Sequence, residues 1–171
     1  MLLLKDSSGR EFRLSSGKHN RLQVAVVTQF APRFAPGAKL VYWGGPANTP
    51  LIMESKELAR LRFSVVKYSQ LSDLVLYGSK KRWLYLIEVV TSHGPVTPKR
   101  YRELETAFSA SWVKRKYVSV FPNFKEYGRH GHKIAWNTDV WIAEVPDHLI
   151  HYNGDKFIGP RQSPPPKRKA K

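Results

Sequence analysis

Cysteine is absent from all 171 residues, which removes disulfides and thiolate metal ligands from consideration and fits a reducing compartment. Long apolar runs are missing as well. The opening MLLLKD has three consecutive leucines before a charge, and no later run approaches the roughly 20 residues of a membrane-spanning helix. Acidic residues are few, 13 Asp and Glu against 29 Lys and Arg. These absences lead to the expectation of a soluble, cytoplasmic protein.

What the chain has in excess is positive charge. A formal net charge of +16 concentrates polyanions around a protein, and nucleic acid is the leading partner. Five of those charges, Arg161, Lys167, Arg168, Lys169 and Lys171, fall in a proline-rich end. Residues 160–171 therefore read as a basic, disordered tail with non-specific affinity for phosphate. Residues 1–159 remain basic without it, and 42% hydrophobic content is enough for one core, so a single domain is expected.

Periodicity and punctuation outline the elements. Residues 2–5 and 10–14 suggest a hairpin around Ser7-Ser8-Gly9. From Gly17 onward Leu22, Val26 and Phe30 recur at near-helical spacing, and Pro32 and Pro36 are expected to stop that helix. Lys39 to Trp43 reads as a strand, 54–62 as a short helix, and 73–77 with 83 onward as a strand pair. Thr97-Pro98 is an N-cap followed by proline at the first helical position, and Tyr101, Leu104 and Phe108 form that helix's buried stripe. Tyr117 to Phe121 is a strand, 125–132 a polar connection, and 138–143 and 148–152 the last strands. The fold class is α/β: a mixed central β-sheet flanked by helices.

One acid in this pattern stands out. Glu88 sits inside WLYLIEVV, a run apolar on both strand faces, where an ionised carboxylate is costly without a cation or hydrogen bonds. If Ser79 to Arg82 form a four-residue hairpin loop, Gly78 faces Trp83 and Asp73 faces Glu88. Carboxylates so opposed, with Cβ atoms roughly 4.5–5.5 Å apart, repel unless a hard cation lies between them, and magnesium is the natural guest. The alternative is a structural ion pair of Glu88 with an arginine or lysine. In the common nuclease pattern a lysine follows the second acid by two positions, on the same strand face; here that position is Val90. The helix start supplies substitutes: Lys99 or Arg100 as the cationic group, with Arg102 beside them. Three cations there oppose the helix dipole, which favours a phosphate at this end; a solvated basic face is the other reading.

The blocks HNRLQ at 19–23, FAPRFAPGAKLVYWG at 30–44, DLVLY at 73–77, WLYLIEVVTSHGPVTPKR at 83–100 and IAWNTDVWIAEVPDHLIHYNGDKFIGP at 134–160 carry a resemblance. The chain resembles the BsuBI/PstI family of type II restriction endonucleases, which have the PD-(D/E)XK nuclease fold. The resemblance implies an Mg²⁺-dependent enzyme cutting both strands of double-stranded DNA at a short palindromic site, as a homodimer, with a cognate DNA methyltransferase encoded alongside. It implies that Asp73 and Glu88 are the metal-binding acids, and that Ser72 replaces the usual proline. Lys18 and Arg21 stand where relatives often carry acids, and Gly45 where an aspartate is expected. Relatives are longer, with an additional N-terminal region that resembles a DNA-recognition module. A catalytically inactive DNA-binding remnant of the same fold is the alternative.

Among the remaining side chains, His93 is a candidate phosphate contact or a structural hydrogen-bonding group in the TSHGP turn. Gln23 and Glu54 are candidates to support the metal. His148 and His151, on a strand, would point to opposite faces, and His130 with His132 lack a cysteine to complete a zinc set. Trp136 and Trp141 are expected in the core or an interface.

Overall fold

The computed structural model describes residues 1–5, 9–45, 49–63 and 71–154; the basic end expected at 160–171 lies outside them. Two strands, β1 (Leu2–Lys5) and β2 (Glu11–Leu14), pair antiparallel as the N-terminal hairpin. Helix α1 (Lys18–Ala25) runs into a π turn (Val26–Phe30) and α2 (Ala31–Phe34). Strands β3 (Lys39–Gly44) and β4 (Pro50–Met53) precede α3 (Ser55–Arg60). Then come β5 (Leu74–Gly78), β6 (Trp83–Val89), α4 (Pro98–Ala107), β7 (Lys114–Phe121), α5 (Phe124–His130), β8 (Thr138–Ile142) and β9 (Leu149–Tyr152).

Strands β3 to β9 make one sheet in the order β4-β3-β5-β6-β7-β8-β9. The β6-β7 and β7-β8 pairs are parallel and the others antiparallel, which is the mixed sheet expected. Both faces are covered, so the central strands are apolar throughout. On one face Leu22, Val26 and Phe30 pack against Trp43, Ile87 and Trp141. On the other, Leu58 and Leu61 of the α3 segment and Leu104 and Phe108 of α4 pack against Val75, Leu84 and Leu86.

Three local expectations need correction. Pro32 does not stop the first helix. The Ala31 N–H donates to the carbonyl of Val26, five residues back, and this wider turn admits the proline at the start of α2. A strict spacing of four drifts by about 40° per step on a 3.6-residue helix, and the π turn takes up that drift so that Leu22, Val26 and Phe30 all stay buried. The stretch 125–132 is not a polar connection but contains α5, whose N-cap Asn123 accepts a hydrogen bond from the Glu126 N–H at 2.9 Å. Trp136 is not in the core, being 66% exposed, whereas Trp141 is fully buried.

Candidate active site

The hairpin register sets the site. Gly78 pairs with Trp83 and Leu74 with Ile87, so the same register carried one residue further sets Asp73 opposite Glu88. The two acids also share the alternation of Val75 and Leu86, residues of one core face. Asp73 is tied to the neighbouring strand through its Oδ2, which accepts the Val89 N–H at 2.7 Å. Its own carbonyl accepts the Gly44 N–H at 2.8 Å, which locks the end of β3 beside the start of β5.

Helix α4 arrives at Glu88 for equally local reasons. Glu88 lies beside Ser119 in the parallel β6-β7 register. The Ser119 Oγ accepts the Val96 N–H at 2.9 Å, and the Val96 carbonyl accepts the Ala135 N–H at 2.9 Å. The chain is thereby fastened just before Thr97, whose Oγ1 caps the helix by accepting the Arg100 N–H at 3.2 Å. Arg100 then reaches back to the strand, and its Nε donates to Glu88 Oε1 at 2.8 Å. Glu88 thus has an arginine partner, the alternative reading for this acid, while the strand register also sets it opposite Asp73.

Burial governs the protonation of both acids. Glu88 is 7% exposed; desolvation pushes its carboxyl up to about 7, with Asp73 adding to the rise and Arg100 opposing it. Asp73 is also held above the usual carboxylate range by burial, against the pull of the Val89 N–H and the charges of His19, His93 and Arg100. Tyr42, on β3, has its phenol raised by burial and then by the Asp73 charge.

His19 is the neighbour that sequence reasoning missed. It enters from α1, with Nδ1 2.9 Å from Thr91 Oγ1 and Nε2 3.6 Å from Asp73 Oδ1. Only its place in the HNRLQ block pointed to it. Gln23, one turn further along α1, is 1% exposed. Its Nε2 donates to the Gly44 carbonyl at 3.1 Å, and its Oε1 is a buried acceptor with no hydrogen-bond partner among the described residues. Glu54 pairs instead with Arg10 at 2.9 Å. Lys99 stands at the surface, its Nζ 3.9 Å from Glu103 and its side chain 83% exposed. Arg102 and His93 are exposed, the latter close enough to lower Asp73.

Val90 is buried with Phe121, Ile134, Val140 and Ile142, so the place of the missing lysine is filled by an apolar cluster. At Gly45 an added Cβ would lie 2.4 Å from the Thr49 carbonyl oxygen; an aspartate cannot be accommodated there without moving backbone.

Among the described residues no group of three or more His, Asp or Glu is gathered for a metal. The donor set is two carboxylates with an orphaned amide oxygen nearby. Hard oxygen donors few in number suit a cation such as Mg²⁺, which keeps several waters.

A mixed sheet with both faces covered by helices, and two acids meeting from adjoining strands at one end, defines an α/β nuclease-like core. The comparisons specify it further. Residues 2–155 match the BsuBI/PstI restriction endonuclease domain, and the chain belongs to that family. It is 40% identical over 154 residues to the type II restriction enzyme BsuBI of Bacillus subtilis, a match covering 90% of this chain and 49% of that enzyme. It is 40% identical over 86 residues to the type II restriction enzyme AplI of Arthrospira platensis, covering 50% of this chain and 26% of that enzyme. The structure of SdaI restriction endonuclease superposes with a TM-score of 0.84 at 35% identity, covering 95% of this chain and 51% of that one. The chain thus spans about half the length, or less, of the relatives it matches.

Proposed function

We propose that this chain carries the catalytic site of an Mg²⁺-dependent type II restriction endonuclease that hydrolyses phosphodiester bonds of double-stranded DNA. The observation that carries the reading is the convergence of Asp73 and Glu88 from adjoining strands, with Arg100 beside them. The family relationship and the activities of the relatives, which are restriction endonucleases, support it. Short palindromic sites, homodimerisation, a companion methyltransferase and a cytoplasmic location belong to the same reading.

Asp73 and Glu88 would hold the divalent cation, which polarises the scissile phosphate and readies a water when bound. Each acid is oriented by the protein before any metal arrives. The Val89 N–H holds Asp73 Oδ2, leaving Oδ1 free of backbone and facing His19. Arg100 holds Glu88 Oε1. The guanidinium offsets the negative charge that two carboxylates and a phosphate bring together, which makes Arg100 rather than Lys99 the cation nearest the acids. Arg102 and His93, both exposed on this side, are the candidate phosphate contacts.

A second reading is a DNA-binding protein of the same fold without activity. Its supporting observations are the Arg100 partner already on Glu88 and the apolar Val90. The two separate in one experiment: incubation with plasmid DNA in Mg²⁺ or EDTA, for the chain and for Asp73→Asn and Glu88→Gln. The first reading expects Mg²⁺-dependent cleavage lost in both variants, and an Mg²⁺-induced rise in Tm in the chain that Asp73→Asn lacks. Duplex binding with neither cleavage nor a Tm response supports the second.

A further inference from the structure

At the end of the sheet opposite the acids, the β5-β6 loop and the start of β7 lie together. Trp83 pairs with Lys114, and the Lys114 N–H donates to the Arg82 carbonyl at 3.1 Å. This juxtaposition gathers Lys80, Lys81, Arg82, Lys114, Arg115 and Lys116 on two neighbouring strand tips. Arg115 is neutralised by Glu105, Nε to Oε1 at 2.8 Å. Among the described residues the other five have no acidic partner within ion-pair distance.

Three of these cations lie over aromatic rings. Lys81 and Lys116 lie 4.7 and 4.4 Å from the Trp83 ring centroid, and Arg82 lies 5.9 Å from that of Trp112. Two ammonium groups that close to one ring are separated by no more than about 9 Å, within roughly a Debye length of each other at physiological salt. Their repulsion is relieved by a polyanion. Trp112, 45% exposed, meets the Tyr77 ring edge-on and lies under Arg82.

We infer that this tip is a second nucleic-acid surface, which grips the phosphate backbone of a duplex segment other than the one at the acids. Glu88 lies five positions along β6 from Trp83, about 17 Å at strand rise. DNA lying across the acid end of the sheet leaves the opposite tip to another stretch. The inference rests on the proposed function only in taking duplex DNA as the polyanion; hydrolysis plays no part in it.

The test is fluorescence anisotropy and binding stoichiometry with a short labelled duplex, without Mg²⁺. It compares the full chain with a triple variant, Lys80→Gln, Lys81→Gln and Lys114→Gln, and with the corresponding triple Lys→Arg variant. The expected result is fewer duplexes bound per protein in the Gln variant, and a log Kd against log salt slope smaller by about 2 to 3. The Arg variant retains both, and duplex quenches Trp112 fluorescence in the chain, a signal removed by Trp112→Phe. An unchanged slope and stoichiometry overturns the inference, as does heparin binding that falls in parallel with no Trp112 response. Failure of plasmid cleavage with a tip-dependent slope sinks the proposed activity and leaves this surface standing. Intact cleavage with an unchanged slope does the reverse.

Discussion

Glu88 offers a sharp test of the electrostatics of this site because its folded and unfolded states hold a proton over different ranges. Its carboxyl rises from the usual 4.5 to about 7, burial being the main cause. Between those values the folded protein keeps a proton that the unfolded chain has released, so stability falls as pH rises through this window. Over about 2.5 pH units at 1.36 kcal/mol each, the cost is about 3 kcal/mol, complete above the folded value and absent below the unfolded one. Glu88→Gln deletes this titration. The attraction between Arg100 and the Glu88 carboxylate exists only where Glu88 is ionised, and it is already contained in the folded value of about 7. Urea unfolding of both proteins in EDTA, from about pH 4 to about pH 8, should show the variant gaining on the parent by about 3 kcal/mol across the range. Parallel stability curves would refute the argument, since they would mean that Glu88 is as well solvated as a free carboxylate.

Three further outcomes follow from the described contacts. Thr97→Ala removes the cap of α4 and should cost about 1 kcal/mol in urea unfolding, with Thr97→Ser recovering most of it. Glu105 is held below the usual carboxylate range, first by its hydrogen bonds to Arg115, so its contribution is present above the unfolded carboxylate value and lost as pH falls through the lowered one. Arg115→Met should therefore lower stability by about 1 to 3 kcal/mol at neutral pH, and the loss should shrink on acidification when followed by unfolding at each pH. Gly45→Asp, which introduces the acid that the family resemblance led us to expect there, should destabilise the fold because its Cβ meets the Thr49 carbonyl oxygen. A thermal melt showing no decrease would mean that the backbone yields there without cost.

The sheet was legible because its central strands obey simple rules. Leu74 to Gly78 and Trp83 to Val89 are apolar runs joined by a short polar loop, and the register between them follows from the loop length. That register, together with an acid inside an apolar strand, brought out Asp73 and Glu88. Arg100 was legible as one of two cations at a capped helix start, but the choice between it and Lys99 depends on the direction in which α4 leaves the sheet. The bonds of Val96 to Ser119 and Ala135 set that direction, and both partners are distant in sequence. His19 was hidden for the same reason: it meets Thr91 and Asp73 only once α1 is laid over β6. The strand at Pro50–Met53 escaped notice because proline leads it, which an edge position allows. Asn123 three residues before Glu126 was a readable helix start; the glycines and histidines that follow obscured it. Trp136 lies outside the core although Ile134, Ala135 and Thr138 around it are buried, so neither composition nor its neighbours marked it as exposed.

The π turn at Val26–Phe30 sets the angular phase between two parts of one helical segment. Before it, His19 faces Asp73 and Gln23 reaches the Gly44 carbonyl, and Phe30, at its end, packs into the sheet core. Deleting one residue within the turn would restore an ordinary helix of the same sequence order, yet rotate one part against the other by about 100°. Either the histidine and glutamine or the core phenylalanine would then lose its place. One surplus residue in the backbone thus lets a single continuous rod serve both the chemistry and the packing.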